Sequence, residues 1–332
     1  MKNNVLVLGN GFDLYHGMHT KYSEFVEFTK DYENAPEEIR DIYHNNTFIQ
    51  YFQKVYDANK SWIDCEKEIE KVVYTMQKCI YEIEKDVLGN INIENSQMTA
   101  EDIFVLSCTT KYLRRQYPNW TYAFDEKYVE DHILNKDAFL KELRQELDEV
   151  MSALAYYLKK EQENLKDGIY KQIKEIQPNH VINFNYTNTY PQLYNDKAEV
   201  YYVHGDLSDK TSIVLGIPDV EKISLDFIYF KKYFQRIQKR RPVIREIQFD
   251  YKDGIDTIAP TVYFLGLSMG RTDEDIIKYL FDLTQEVKIF YYDQKDYETK
   301  IINLIEIYGR ELIEQMLWTH KIEFILLDNK KA

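Results

Sequence analysis

A short apolar run that ends in glycine sets the frame for this chain. Asn4-Val5-Leu6-Val7-Leu8 leads straight into Gly9-Asn10-Gly11-Phe12-Asp13, then Leu14-Tyr15-His16-Gly17, with a helix predicted to begin near Lys21. A buried strand that stops at glycines and opens a helix is how open α/β sheets make a phosphate site. The glycines let the backbone approach the ligand, and helix N–H groups face the anion. Three later segments repeat the pattern of a strand followed by polar residues: Asn183-Phe184-Asn185-Tyr186-Thr187, Val203-His204-Gly205-Asp206 and Leu265-Gly266-Leu267-Ser268. All four are expected at the carboxyl ends of strands, the edge where parallel sheets bind ligands.

Glycine and proline are sparse, and no stretch reads as a linker or a repeat. Trp62, Cys65, Ile69, Val72, Met76, Cys79, Ile83 and Val87 recur in steps of three and four, one stripe of a helix. Leu140, Leu143, Leu147, Val150, Leu154 and Tyr157 form a second stripe. Each covers about three heptads, too few to demand a coiled coil, so both are read as helices packed on each other and on a sheet. Strand signals resume after Pro178, at 180–185, 200–204, 212–216, 261–267, 287–292 and 321–327. Helical patterns fall at 224–247, 273–284 and 296–318. Strands alternating with helices predict a mainly parallel sheet, to which the first strand also belongs. The expectation is a single α/β domain over residues 1–332, with a helical insertion at 35–178.

Composition narrows the classes of function. The formal net charge of −14 argues against non-specific nucleic-acid binding. Three scattered cysteines fit buried thiols in a reducing cytoplasm better than a disulfide framework or a zinc site. No apolar run reaches the ~20 residues of a membrane span. The N-terminus enters a strand at once, without a signal segment. A cytoplasmic protein with no membrane partner is expected.

Taken singly, the polar motifs leave alternatives open. Gly9 and Gly11 match the first two glycines of a dinucleotide fingerprint, but Leu14 stands at the third, and no acidic residue follows a second strand ~20 residues on. Asp13 suits a helix cap or a ribose hydroxyl. Asn185 suits a turn as well as a site, and His204 and Ser268 can equally be structural. His16 and His19 are spaced for a metal, yet Gly17 interrupts the helix and nothing completes the ligand set, so no metal is expected. Glu66, one turn after Trp62 and beside the apolar stripe, must reach solvent, pair with a base or face a pocket. Lys231, Lys232, Arg236, Lys239, Arg240, Arg241 and Arg245 make a basic segment over 231–245. It reads either as a face that balances nearby acids or as a phosphate or nucleic-acid contact.

In their order, the four segments resemble the sirtuin-like fold, a Rossmann-type parallel sheet. The local sequences resemble the AbiH family of phage abortive-infection proteins. Gly9-Asn10-Gly11-Phe12-Asp13-Leu14-Tyr15-His16-Gly17-Met18-His19-Thr20, with Tyr22 and Phe25 downstream, is similar to the AbiH opening, and Trp62-Ile63-Asp64-Cys65-Glu66 to a tryptophan-to-glutamate motif of that family. Asn183-Phe184-Asn185-Tyr186-Thr187 looks like the threonine-asparagine-tyrosine-aspartate segment of sirtuin-like NAD hydrolases, with Thr187 in place of the aspartate. His204-Gly205 resembles their histidine–glycine pair, and Phe264-Leu265-Gly266-Leu267-Ser268 with Asp273 their last nucleotide-binding turn.

The resemblance implies an anti-phage protein that hydrolyses NAD to nicotinamide and ADP-ribose when infection occurs. His204 would be the base and Asn185 would orient the water or the ribose. Gly9, Asn10, Gly11 and Phe12 would surround the pyrophosphate, with Asp13 on a neighbouring hydroxyl. Tyr186, Gly266, Ser268 and Asp273 would complete the nucleotide contacts, and His16 and Glu66 would face the pocket. Thr187 keeps a second outcome open, a sensor that binds NAD or ADP-ribose without cleaving it. A third is an assembly protein whose killing activity belongs to a partner. In each case a homo-oligomer through the insertion and a phage trigger that the sequence does not name are among the expected partners.

Overall fold

The computed structural model describes residues 4–31, 35–59, 63–84, 99–116, 136–166, 168–195, 197, 199–219, 221–241 and 259–328. Trp62, Val87 and Arg245, singled out above, lie outside the described residues. Six strands form one sheet: β1 (Asn4–Leu8), β2 (His180–Asn183), β3 (Glu199–Tyr202), β4 (Thr261–Leu265), β5 (Glu286–Tyr291) and β6 (Ile322–Leu326). Their order is β3-β2-β1-β4-β5-β6 and every neighbouring pair is parallel. This is the order of doubly wound dinucleotide-binding sheets, and it changes direction between β1 and β4.

The register explains why the strands read as apolar runs. Both faces of the sheet are covered, so residues of both parities are buried. Val5 and Val7 join Ile182, Val262, Phe264 and Ile289 on one face. Leu6 and Leu8 join Val181, Leu265, Ile173 and Tyr190 on the other. Helices Thr189–Leu193 and Glu274–Asp282 lie between successive strands. The helical run expected at 296–318 is two helices, Gln294–Tyr308 and Arg310–Trp318. Gly309 breaks it with a φ of 78°.

Two sequence expectations are revised. The segment 212–216 is not a strand. Lys210–Ser212 is a single 3₁₀ turn, and the buried residues after it carry no ladder; Val214 N donates to His204 O, and side chains meet other backbone groups of the loop. Its apolar run signals burial, which a core-facing loop satisfies as well as a strand does. The helix expected near Lys21, which is Tyr22–Phe28, is preceded by another that starts inside the glycine turn, Asn10–Tyr15.

Contacts divide the chain into two units. A sheet unit comprises Met1–Lys21, Tyr157–Val214 and Arg236–Ala332, and a helical unit comprises Tyr22–Tyr156 and Leu215–Gln235. The helical unit thus differs from the expected 35–178 at both ends and gains a distant segment. Phe227 and Phe230 of that segment are buried, and the Phe230 ring lies 6.5 Å from Phe48. Nothing periodic in 215–235 announces which core those rings join. The second apolar stripe falls on helix Lys136–Glu163, in which the unit boundary lies, and the first on helix Cys65–Glu84.

Candidate functional site

The turns after β1 and β4 interlock at the point where the strand order reverses. Gly9 N donates to Leu265 O at 3.0 Å, and Gly11 N to Gly266 O at 2.8 Å. A Cβ on Gly9 would lie 2.5 Å from Leu267 Cα. One on Gly11 would lie 2.8 Å from Gly266 Cα and 2.9 Å from the Tyr292 hydroxyl. Gly266 has a φ of 73°, and a Cβ there would collide with Phe12 N. The three glycines therefore serve a backbone-to-backbone approach between two turns. The second turn fills the space on the Cβ side of Gly9 and Gly11.

The neighbours of Gly9 and Gly11 are tied down as well. Asn10 Nδ2 donates to Thr20 O at 3.1 Å and its Oδ1 accepts from Thr20 Oγ1 at 2.6 Å. Phe12 is a core ring, 4.4 Å from the His16 ring and buried with Tyr190. His16 is buried, with Nδ1 2.8 Å from Phe12 O and Nε2 2.8 Å from the Tyr194 hydroxyl. Both ring nitrogens meet partners in the packing around the first turn.

The turn after β2 clamps the first turn through its polar side chains. Asn185 Nδ2 donates to Gly9 O at 3.0 Å, and Asn183 Nδ2 to Thr187 O at 2.9 Å. Thr187 Oγ1 donates to Asp13 Oδ2 at 2.5 Å, and Thr189 Oγ1 to Thr187 Oγ1 at 3.2 Å. Asp13 is 1% exposed, and its Oδ1 has no hydrogen-bond partner. Burial raises its pKa to about 6 against the lowering effect of the Thr187 and Thr189 hydroxyls. This accounts for the threonine at 187. An aspartate there would set a second carboxylate against a buried first, whereas the hydroxyl donates to it.

His204 follows β3 and is 4% exposed. Its ring meets Phe184 edge-on at 5.5 Å and lies 6.5 Å from Tyr186, the two residues that flank Asn185. The Tyr186 hydroxyl is fixed on Val214 O at 2.9 Å. His204 Nε2 lies 3.0 Å from Asp273 Oδ1, and Arg236 Nη1 lies 4.0 Å from the same oxygen. Asp273 Oδ2 accepts from Thr272 Oγ1 at 3.4 Å. The carboxylate read in the sequence as a nucleotide contact thus lies beside a histidine and an arginine. Ser268 is exposed, with its carbonyl accepting from Asn303 Nδ2 at 2.7 Å.

Glu66 belongs to the helical unit. It is buried, with Oε2 2.9 Å from Lys232 Nζ and Oε1 accepting from the Tyr22 hydroxyl at 3.2 Å. Of the three fates open to it in sequence, it takes the base. Four more cations of the basic segment also meet partners within the chain. Lys231 pairs with Asp219 at 2.9 Å, Arg236 with Asp275, Lys239 with Ile213 O, and Arg241 lies 3.9 Å from Asp206. The helical unit also holds a cavity of about 790 Å³, whose lining includes Asp41, Lys111, Arg115, Glu142, Glu146 and Glu149. None of the residues singled out in the sequence lines it, and its two cations are paired, Lys111 with Glu146 and Arg115 with Glu142. Among the described residues, no group of three or more His, Cys, Asp or Glu could hold a metal.

The family model described as Bacteriophage abortive infection AbiH matches residues 5–293. The chain belongs to the AbiH family. Comparison with curated proteins and with solved structures gives no significant match. Membership carries the broad function, anti-phage abortive infection. The matched span of this AbiH chain contains every strand-end segment read from the sequence as well as Glu66. Arg236, 4.0 Å from Asp273 Oδ1, is a position at the sheet edge that the sequence conceals, because it reads as one cation in a basic run. The signal that could have found it is its neighbour Asp273, a carboxylate that needs a partner wherever it is buried. Among the described residues of the AbiH chain, no helix is long and apolar enough to cross a membrane.

Proposed function

We propose that this AbiH protein acts in abortive infection by hydrolysing NAD at the nicotinamide–ribose bond, with a sirtuin-like sheet unit as the catalytic part. The observation that carries the reading is the pairing of two strand ends. His204 after β3 packs between residues that flank Asn185 after β2, on a parallel sheet of dinucleotide-binding order. Water attacks the ribose carbon as the carbon–nitrogen bond breaks. The bonding electrons leave with nicotinamide, which departs neutral, and one water proton passes to the protein. No strong general acid is needed.

His204 is the group that accepts that proton. Asn185 gives its amide nitrogen to Gly9 O, so its amide oxygen is the atom that orients water or a ribose hydroxyl. Asp13 and Thr187 stand behind this pair as the buried bridge between the first two turns. The interlocked glycines supply rigidity to the edge rather than a wide phosphate cradle.

A second reading, a sensor that binds the nucleotide without cleaving it, draws on Thr187. This residue is neutral, and its hydroxyl is spent on Asp13. The experiment that separates the two is NAD measurement in phage-infected cells. Wild type should deplete NAD, and His204→Ala should not, with a loss of rate on the order of 10²–10⁴ for removal of a general base. Nucleotide affinity of purified His204→Ala should stay within about tenfold of wild type, because the base acts in the transition state. Protection from phage with NAD untouched in wild-type cells would favour the sensor or an assembly protein.

A further inference from the structure

We propose that Asn183 is the positioning residue for Asn185, its side-chain amide bracing the turn after β2 and so setting the direction of the Asn185 side chain. The proposal rests on Asn185 orienting the water or the ribose in NAD hydrolysis. Asn183 acts only through the turn that it holds.

Asn183 is out of character for its place. It ends β2, whose other residues, His180, Val181 and Ile182, are all buried. A strand of a parallel sheet covered on both faces favours apolar side chains, yet Asn183 is 2% exposed. A primary amide removed from water there is costly unless its donor and its acceptor are both met. The turn meets both. Asn183 Oδ1 accepts from Asn185 N at 3.0 Å, and Asn183 Nδ2 donates to Thr187 O at 2.9 Å. The amide thereby spans the turn and satisfies a buried backbone donor and a buried backbone acceptor of it. A hydroxyl at this position could accept from the N–H two residues on, as serine does in short turns, but is too short to reach the carbonyl of Thr187 as well.

Both ends of this brace are anchored. Asn183 pairs with Leu8 of β1 and with Tyr202 of β3. Its carbonyl accepts from Val203 N at 2.9 Å, and Phe184 N donates to Leu8 O at 2.9 Å. At the far end, Thr187 Oγ1 donates to Asp13 Oδ2 at 2.5 Å. Asn185 is therefore held at two points, through its backbone N–H by Asn183 and through its amide nitrogen by Gly9 O at 3.0 Å. Together they fix the plane of its side-chain amide and the direction of its oxygen. A group placed from a strand is held more precisely than one placed from a loop. Misplacing a group by about 1 Å can cost on the order of 10²-fold in rate.

The test uses full-length protein labelled with ¹⁵N-asparagine, and protein purified from phage-infected cells for activity. The Asn185 resonances are identified by their loss in Asn185→Ala. In wild type the backbone N–H and the side-chain NH₂ of Asn185 should both exchange slowly with water. Asn183→Ala should speed both by about tenfold, with the Asn4 resonances at the start of β1 unmoved as the control for the sheet. In NAD hydrolysis, Asn183→Ala should lower kcat on the order of 10- to 100-fold and leave KM within about threefold. Asn183→Ser, which keeps an acceptor for Asn185 N, should recover part of the rate and the backbone protection. An Asn185 side-chain amide that exchanges as slowly in Asn183→Ala as in wild type overturns the proposal, as does an unchanged kcat or a defect in KM alone. If the wild type turns over no NAD, the catalytic reading of Asn185 falls. The side-chain exchange then decides by itself whether Asn183 directs that residue. If Asn183→Ala fails to fold, Asn183→Ser carries the test: its kcat should fall short of wild type and its Asn185 side-chain amide should exchange faster, and wild-type values in both would overturn the proposal.

Discussion

Asp13 gives the sharpest physical prediction. Its carboxyl is wholly buried, accepts from Thr187 Oγ1, and has a pKa raised to about 6 from an ordinary 3.8. The folded state therefore holds this proton more tightly than the unfolded chain does. Between the two pKa values the native protein binds more protons, so stability falls as pH rises through that window. A shift of about two units, at about 1.4 kcal/mol per unit, costs about 3 kcal/mol once both states are ionised. About 2 kcal/mol of this develops between about pH 4 and about pH 8.

Asp13→Asn keeps the shape and removes the titration. Its stability relative to wild type should therefore rise by about 2 kcal/mol from about pH 4 to about pH 8, whatever constant offset the lost acid–hydroxyl bond adds. Because the chain has two units, the readout should be local. Hydrogen exchange of β1 and β2 peptides, compared between mutant and wild type at each pH, reports the opening of the sheet unit and cancels the intrinsic pH dependence of exchange. A mutant-minus-wild-type difference that stays flat across the range would refute the reasoning. It would mean that Asp13 is ionised throughout and held as a charge by its hydroxyl donors.

Further outcomes follow from the same geometry. Gly266→Ala should destabilise the sheet unit by more than about 3 kcal/mol, because the new Cβ meets Phe12 N at a left-handed position. Gly17→Ala, also left-handed but with no atom within 4 Å of the added carbon, should cost only about 1–2 kcal/mol in a urea melt. Comparable costs at the two sites would mean that the turns do not interlock. Glu66→Gln should cost the helical unit about 3–5 kcal/mol by leaving the charge of Lys232 without its carboxylate. The double variant Glu66→Gln, Lys232→Met should recover much of that loss in denaturant unfolding, and no recovery would show that the pair is not coupled.

Much of the sheet is legible in the chain because its signals are local. An apolar run such as Val5–Leu8 buries both of its faces only inside a parallel sheet, and helical spacing between such runs supplies the crossovers. The strand-end positions of Asn185 and His204 follow from the same pattern. The fate of a polar side chain does not, because it depends on partners distant in sequence. Glu66 had three outcomes until the fold brought Lys232 to it. Nothing in the sequence pairs Asp273 with His204, which the fold brings to within 3.0 Å of it.

Sequence alone determined the α/β class, the parallel sheet and the edge that carries the polar turns, and its motifs determined the AbiH family. Tertiary structure decided that Gly9, Gly11 and Gly266 pack on one another, that 215–235 joins the helical unit, and that Thr187 answers Asp13. Periodicity records how each residue is shared between water and core. It holds no record of which buried donor meets which buried acceptor, and that pairing is fixed only when the strands take their order.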